Sequence, residues 1–294
     1  MSGTAIRSVG ICGAGGTMGA GIAITVARAG FRAICYDTQP AGLERAARET
    51  EAFFASSVRR GRMTEPERAQ ALAAMIRTDQ PAHLGECDLV IEAVFEELAV
   101  KRALLRALHA ICPEHTIFAS NTSTLSITEI ASGCGREDRV IGLHYCLPAQ
   151  LMKLIEVSPG VNTSPQTLAR AWAWTLACGQ RPVRTQDKPG FILNALLVPF
   201  NNDAIRAVEA GVAEAAAIDT AIRSALGYRM GPLELIDLIG LDTQVRLCEA
   251  FYPVTLDPRA AAPPLLRRMV AAGQLGRKSG HGFYRYDGER MFGA

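Results

Sequence analysis

Along the first two thirds of the chain, short apolar runs alternate with stretches whose apolar positions recur at helical spacing. The runs are SVGIC (8–12), FRAICYD (31–37), DLVIEAV (88–94), TIFAS (116–120), RVIGLHY (139–145), MKLIEV (152–157) and RPVRT (181–185). Several are apolar at nearly every position, which suits strands buried on both faces. Helices are expected over 17–29, 97–111 and 165–178, with two more across 41–77. Those two part at GRMTEPE (61–67), where Thr64 is a candidate N-cap and Pro66 stands in the following first turn. Regular strand–helix alternation predicts an α/β fold with a doubly wound, mostly parallel sheet. After QDKPG (186–190) the pattern is helical from Phe191 to about Ala272, broken at Gly211, Gly227, Gly231-Pro232 and Pro263-Pro264. A domain boundary is therefore expected near Asp187, giving a sheet domain over 1–187 and an all-helical C-terminal domain over 188–294.

With 294 residues the chain can bury two cores. Its 31 basic and 29 acidic residues leave a net charge of +2, which supplies no electrostatic drive toward nucleic acid or an anionic membrane. The eight cysteines show no C-x-x-C pair and no zinc-ligand spacing, so no metal site is expected. Cys12 and Cys35 sit inside apolar runs as small buried hydrophobes, which fits a reducing compartment. The opening MSGTAIRSVGICG lacks the apolar core of a signal peptide, and no uncharged apolar run approaches the roughly 18 residues of a membrane span. A cytoplasmic protein is expected.

Between the first run and the first helix lies Gly13-Ala14-Gly15-Gly16-Thr17-Met18-Gly19, a dinucleotide turn G-x-G-x-x-G lengthened by one residue. Such a site needs a strand feeding a tight turn, a helix whose first amides meet the pyrophosphate, and a carboxylate ending the next strand for the ribose hydroxyls. Asp37 ends the second run, 18 residues after Gly19. A glycine turn alone is weak evidence; with Asp37 in register it predicts a Rossmann-type domain binding NAD, since a carboxylate repels the extra phosphate of NADP. The added glycine is expected to be absorbed at Gly15 or Gly16, leaving the helix start near Thr17.

Six ordered blocks follow the turn: EAVFEELAVKRALL (92–105), ASNTSTLSITEIA (119–131), RVIGLHYCLPAQLMKLIEV (139–157), DKPGFILNALLVPFNNDAI (187–205), GYRMGPLELIDLIGLDT (227–243) and LGRKSGHGFYRY (275–286). In these the chain resembles the L-3-hydroxyacyl-CoA dehydrogenase family, over nearly its whole length. The resemblance implies NAD-dependent interconversion of L-3-hydroxyacyl-CoA and 3-ketoacyl-CoA in fatty-acid metabolism such as β-oxidation. It also implies a short or medium acyl chain, and a helical domain that covers the acyl-CoA and forms a homodimer.

Hydride removal from a secondary alcohol leaves a hydroxyl proton for a base, and histidine titrates near working pH. His144 ends a predicted strand at the carboxyl edge of the sheet, and Glu156 lies 12 residues later on the adjacent one, so contact is feasible. Standing alone, His144 reads as a core or capping histidine. The resemblance makes His144 and Glu156 the catalytic pair. It assigns Ser123 to the substrate oxygen and Asn194 to orienting the reacting carbonyl. It gives Glu96, Lys101 and Lys278 cofactor contacts, and Arg60 a contact to the CoA phosphates. Each has a plainer reading as well: Ser123 as a turn or cap residue, Asn194 as a tie between domains, Glu97 and Lys101 as a helical i,i+4 pair, and Arg59, Arg60 and Arg62 as a solvated helix end.

The chain departs from the family pattern after the histidine. His144-Tyr145-Cys146-Leu147-Pro148 replaces His-Phe-Phe-Asn-Pro, so Leu147 stands where an asparagine touches the cofactor. Gln150 replaces a proline, and Ala195 an arginine. An alternative reading is therefore a dehydrogenase of non-CoA 3-hydroxy acids or sugar acids, as in the gulonate dehydrogenase and lambda-crystallin group; a third is a non-catalytic binding protein of the same fold.

Overall fold

A computed structural model describes residues 5–286, which divide into two compact units meeting in sequence at Phe191 and Ile192. The first is built on eight strands: β1 (Ser8–Cys12), β2 (Arg32–Tyr36), β3 (Met75–Thr78), β4 (Leu89–Glu92), β5 (Ile117–Ser120), β6 (Val140–Tyr145), β7 (Leu154–Pro159) and β8 (Arg181–Arg184). Their order in the sheet is β3-β2-β1-β4-β5-β6-β7-β8. Every neighbouring pair is parallel except β6 with β7.

Six helices cover this sheet: α1 (Thr17–Arg28), α2 (Pro40–Arg59), α3 (Glu65–Ala73), α4 (Leu98–Ile111), α5 (Ile127–Ala131) and α6 (Pro165–Ala177). The period-2 alternation of a strand sorts its side chains between two cores. Val9 and Ile11 of β1, Leu89 and Ile91 of β4, and Ile117 of β5 join α1 residues Ile22 and Val26 on one face. Cys12, Val90 and Phe118 turn to the other, against Leu105 and Leu108 of α4. The sheet is thus doubly wound, and winding reverses between β1 and β4, where the loops at the strand ends diverge and open α/β folds bind ligands.

Two local features differ from the pattern expected above. Residues 75–78, expected to end a helix, form the edge strand β3, paired with β2 from Ala33–Met75 to Tyr36–Thr78. Four residues are too few to show a period, and pairing with a neighbouring strand decides them. The second is the reversed β7. Only residues 146–153 separate it from β6, fewer than the dozen or so that a parallel crossover needs. Thr64 does cap α3: its hydroxyl accepts from the Glu67 amide and its own amide donates to Glu67 Oε2 at 2.7 Å, closing a capping box.

The lengthened glycine turn follows β1 directly. Gly13 takes the left-handed conformation (φ 82°), and the amides of Gly13 and Ala14 both donate to the Tyr36 carbonyl, at 3.0 and 3.1 Å. The helix starts at Thr17, as expected. The turning strain, however, falls on Gly13 and not on Gly15 or Gly16, because the chain reverses as it leaves the strand. Gly19 is required by contact: a Cβ there would lie 2.2 Å from the Gly13 carbonyl oxygen. Gly16, the N-cap of α1, has extended backbone (φ −87°, ψ 160°) and room for a methyl group, 3.4 Å from that oxygen.

The second unit holds α7 (Leu193–Glu209), α8 (Ala215–Leu226), α9 (Pro232–Ile239), α10 (Leu241–Thr255) and α11 (Pro264–Ala271), packed on a core of Ile205, Leu233, Ile236, Leu241 and Leu266. Two buried carboxylates organise it. Asp219 accepts the Leu233 and Glu234 amides that open α9, at 2.9 and 2.8 Å, and the Tyr284 hydroxyl at 2.7 Å. Asp237 accepts the Phe283 and Tyr284 amides and the Tyr286 hydroxyl, each at 2.9 Å, so GFYRY is pinned to α9. No helix among the described residues is long and apolar enough to cross a membrane.

The two glycines make a paired test of the turn. Gly19→Ala forces backbone against backbone and should cost about 2–3 kcal/mol of unfolding free energy in urea. Gly16→Ala meets open space and should cost no more than about 1 kcal/mol, the difference in N-cap preference. Equal losses would show that the turn is not packed in this way.

Candidate active site

The ends of β5 and β6 on the carboxyl edge of the sheet meet β7 around one imidazole. Antiparallel pairing sets His144 directly opposite Glu156, and both are buried, at 4% and 1% exposure. His144 Nδ1 lies 2.7 Å from Glu156 Oε2 and Nε2 lies 3.0 Å from Ser123 Oγ. An ionised carboxylate only accepts, so Nδ1 carries the proton and Nε2 of the neutral ring is left as the base. The Phe191 ring packs on the imidazole with centroids 5.4 Å apart, closing its side and limiting rotation.

Ser123 belongs to the loop after β5, and that loop is held by Glu96. Glu96 Oε1 accepts the Ser123 amide at 2.9 Å, the Thr124 amide at 3.1 Å, the Thr124 hydroxyl at 3.0 Å and the Thr122 hydroxyl in a short bond. Asn121 adds a tie to the next strand, accepting the Tyr145 amide at 2.8 Å through Oδ1. Burial pulls the Glu96 carboxyl upward, but the Lys101 ammonium and the hydrogen bonds from the Thr122–Thr124 loop outweigh it, leaving the group below the usual carboxylate range.

Lys101 of α4 turns inward. It is 1% exposed, and its ammonium donates to Glu92 Oε1 and Oε2 at 2.9 and 2.8 Å, with Glu96 Oε2 at 3.2 Å. Glu92, also 1% exposed, is the residue that sequence reasoning missed. A glutamate ending the apolar run VIE, paired in register with Ser120, was the available signal, because a buried carboxylate demands a partner. Burial pushes the Glu92 carboxyl up, opposed by Lys101, by the Ser120 hydroxyl and by the Val94 amide.

The glycine turn fits a dinucleotide. Gly16 has no side chain with which to cap α1, and the first turn of α1 contains no acidic residue, so its free amides suit a pyrophosphate. Asp37 follows the end of β2. Its Oδ2 accepts the Gly15 amide and its Oδ1 the Gln39 amide, both at 2.9 Å, which fixes the carboxylate beside the turn with acceptor capacity left for hydroxyls. A Cβ on Gly15 would lie 2.9 Å from Asp37 Oδ2. Arg45, also missed from the sequence, donates to the Gly15 carbonyl at 2.9 Å and brings a positive charge to the same turn. Thr17 and Met18 open α1.

The remaining expected site residues belong to other elements. Arg60 follows the last turn of α2 and is exposed with Arg59 and Arg62; none of the three forms an ion pair among the described residues. In the second unit Asn194 stands in the first turn of α7, and Lys278 is paired with Asp242. Leu147 is 58% exposed. Gln150 turns toward α1, where its Oε1 would meet a Cβ on Gly21.

Comparison with known proteins matches residues 8–188 to the model of the 3-hydroxyacyl-CoA dehydrogenase NAD binding domain and residues 190–286 to the 3-hydroxyacyl-CoA dehydrogenase C-terminal domain. A probable 3-hydroxybutyryl-CoA dehydrogenase of Bacillus subtilis is 40% identical over 96% of this chain and 98% of that protein. The 3-hydroxyadipyl-CoA dehydrogenase of Escherichia coli is 39% identical over 97% of this chain and 60% of its own length. The crystal structure of (S)-3-hydroxybutyryl-CoA dehydrogenase PaaH1 from Ralstonia eutropha superposes with a TM-score of 0.91 at 36% identity, covering 96% of this chain and all of that one.

The depressed Glu96 carboxyl has a signature in acid. A group whose folded pKa lies below its unfolded value contributes stability above the unfolded pKa and loses it as pH falls through the folded one. The difference in unfolding free energy between wild type and Glu96→Gln should therefore be full at neutral pH and shrink below about pH 4.5. A difference that stays constant down to acid would refute the clamp.

Proposed function

The chain belongs to the 3-hydroxyacyl-CoA dehydrogenase family, and on that premise we propose how its residues divide the NAD-dependent interconversion of 3-hydroxyacyl-CoA and 3-ketoacyl-CoA. NAD, when bound, supplies the hydride chemistry. In oxidation His144 Nε2 takes the proton of the substrate hydroxyl, and in reduction the imidazolium returns it to the carbonyl oxygen. Glu156 keeps the proton on Nδ1 and balances the charge that the ring gains, since an imidazolium at this depth requires a counter-ion. The Ser123 hydroxyl donates to the reacting oxygen and holds it in line with Nε2. The observation that carries this reading is the relay Glu156–His144–Ser123, with contacts of 2.7 and 3.0 Å at the end of a buried strand pair.

The Gly13–Gly19 turn and Asp37 hold two adjoining parts of the adenosine diphosphate moiety, pyrophosphate on the first amides of α1 and ribose on the carboxylate. Glu96 faces the cofactor with Lys101 behind it. The exposed Arg59, Arg60 and Arg62 cluster suits the phosphates of CoA. For Asn194 and Lys278 the support is family similarity. The substrate is the L isomer of a short or medium 3-hydroxyacyl-CoA such as 3-hydroxybutyryl-CoA. The helical second domain covers the acyl-CoA and pairs with a second copy as a homodimer. Eight unpaired cysteines suit the reducing cytoplasm.

The test follows NADH oxidation with acetoacetyl-CoA, longer 3-ketoacyl-CoAs and free acetoacetate. Turnover of the short CoA ester is expected, with kcat reduced about 10²- to 10⁴-fold in His144→Ala. Turnover of free acids alone would overturn the substrate, and full activity in His144→Ala the mechanism. Leu147→Asn restores an amide near the cofactor and should lower KM for NADH several-fold, by roughly the 1 kcal/mol of a typical hydrogen bond.

A further inference from the structure

Lys101 and Glu92 are the most deeply buried charges in the first unit that no step of the reaction uses. Their exposure is 1% each, and a buried ion pair is seldom retained for stability, because desolvating two ions consumes most of the attraction between them. Each group is nevertheless fully committed. The Lys101 ammonium donates to Glu92 Oε1 and Oε2 at 2.9 and 2.8 Å and to the Val94 carbonyl at 3.5 Å, and it lies 3.2 Å from Glu96 Oε2. Glu92 in turn accepts the Ser120 hydroxyl at the end of β5 and the Val94 amide at 3.2 Å. The pair therefore spans two strand ends, those carrying Glu96 and Ser123.

We propose that Glu92 and Lys101 are positioning residues: a buried ion pair sets Glu96, Glu96 grips the Thr122–Thr124 loop, and the loop holds the Ser123 hydroxyl against His144. This rests on the reading of His144 and Ser123 given above. The geometry divides Glu96 between its two oxygens. Oε2 faces Lys101, while Oε1 gathers four donors from three consecutive residues. An acceptor so crowded needs full negative charge, and the ammonium behind it supplies the counter-charge. Without Lys101 the partly exposed carboxylate loses the cation beside it, the loop loosens, and Ser123 no longer stands 3.0 Å from Nε2. Displacements of this kind reduce kcat more than substrate or cofactor binding, because they act on the alignment of reacting groups.

The test compares wild type, Glu92→Gln/Lys101→Met and Glu92→Gln, with acetoacetyl-CoA and NADH, after wild-type turnover and its loss in His144→Ala have established the parent reading. The double variant removes both buried charges together, so neither is stranded. Its kcat should fall at least about tenfold while KM for NADH stays within about threefold. Glu92→Gln is isosteric and leaves Lys101 paired with Glu96, and circular dichroism checks that each variant is folded. The single variant should show the same pattern in smaller measure, at least about threefold in kcat with KM unchanged. A kcat within twofold of wild type in folded variants would overturn the proposal. So would a tenfold rise in KM for NADH at unchanged kcat, the mark of a lysine that touches the cofactor.

Discussion

An imidazole and a carboxylate, both almost without access to water, occupy the interior of the first unit because they face each other. His144 and Glu156 meet at 2.7 Å across the one antiparallel step of the sheet. Burying either alone would be costly enough to neutralise or expel it. Together they form a directed pair, with one ring nitrogen fixed as donor and the other left open toward Ser123. The sheet's reversal at β7, the packing of Phe191 on the ring and the clamp on the β5 loop all serve to keep this pair in place.

The same constraint recurs one strand away. Glu92 and Lys101 are buried at the end of β4 on the condition that each charge finds its complement. Lys101 also faces Glu96, which lies partly exposed and whose own negative charge holds the loop carrying Ser123. A buried hydrogen-bonded pair and a buried ion pair thus both act on the Ser123 hydroxyl, one through His144 and the other through Glu96. Across the reversal point of the sheet, the glycine turn works on different terms. It offers unpaired amides and one carboxylate where a cofactor's phosphates and ribose would lie.

Much of this was legible beforehand. The apolar runs located seven of the eight strands, since strands buried on both faces are apolar at almost every position. Thr64, with Pro66 just after it, marked the start of α3. Asp37 was found because its distance from the glycine turn is set by one helix and one strand. What escaped notice was short or depended on a partner. β3 has four residues and no period of its own; Glu92 looked like an ordinary strand end; Arg45 resembled any charged helix residue. The plainer reading of Lys101, an exposed i,i+4 pair with Glu97, gives way to an inward placement onto Glu92.

The sequence by itself determined the strand–helix alternation, the glycine turn with its carboxylate, and the presence of His144, Ser123 and Glu156 in ordered blocks. These follow from local periodicity and from spacing along the chain, which elements of known rise per residue convert into distance. Tertiary structure alone decided which nitrogen of His144 carries the proton, where the left-handed strain of the lengthened turn falls, and that Lys101 stands behind Glu96. Each of these depends on groups tens of residues apart being brought out of water together, and electrostatic interactions acquire their strength only when that solvent is removed.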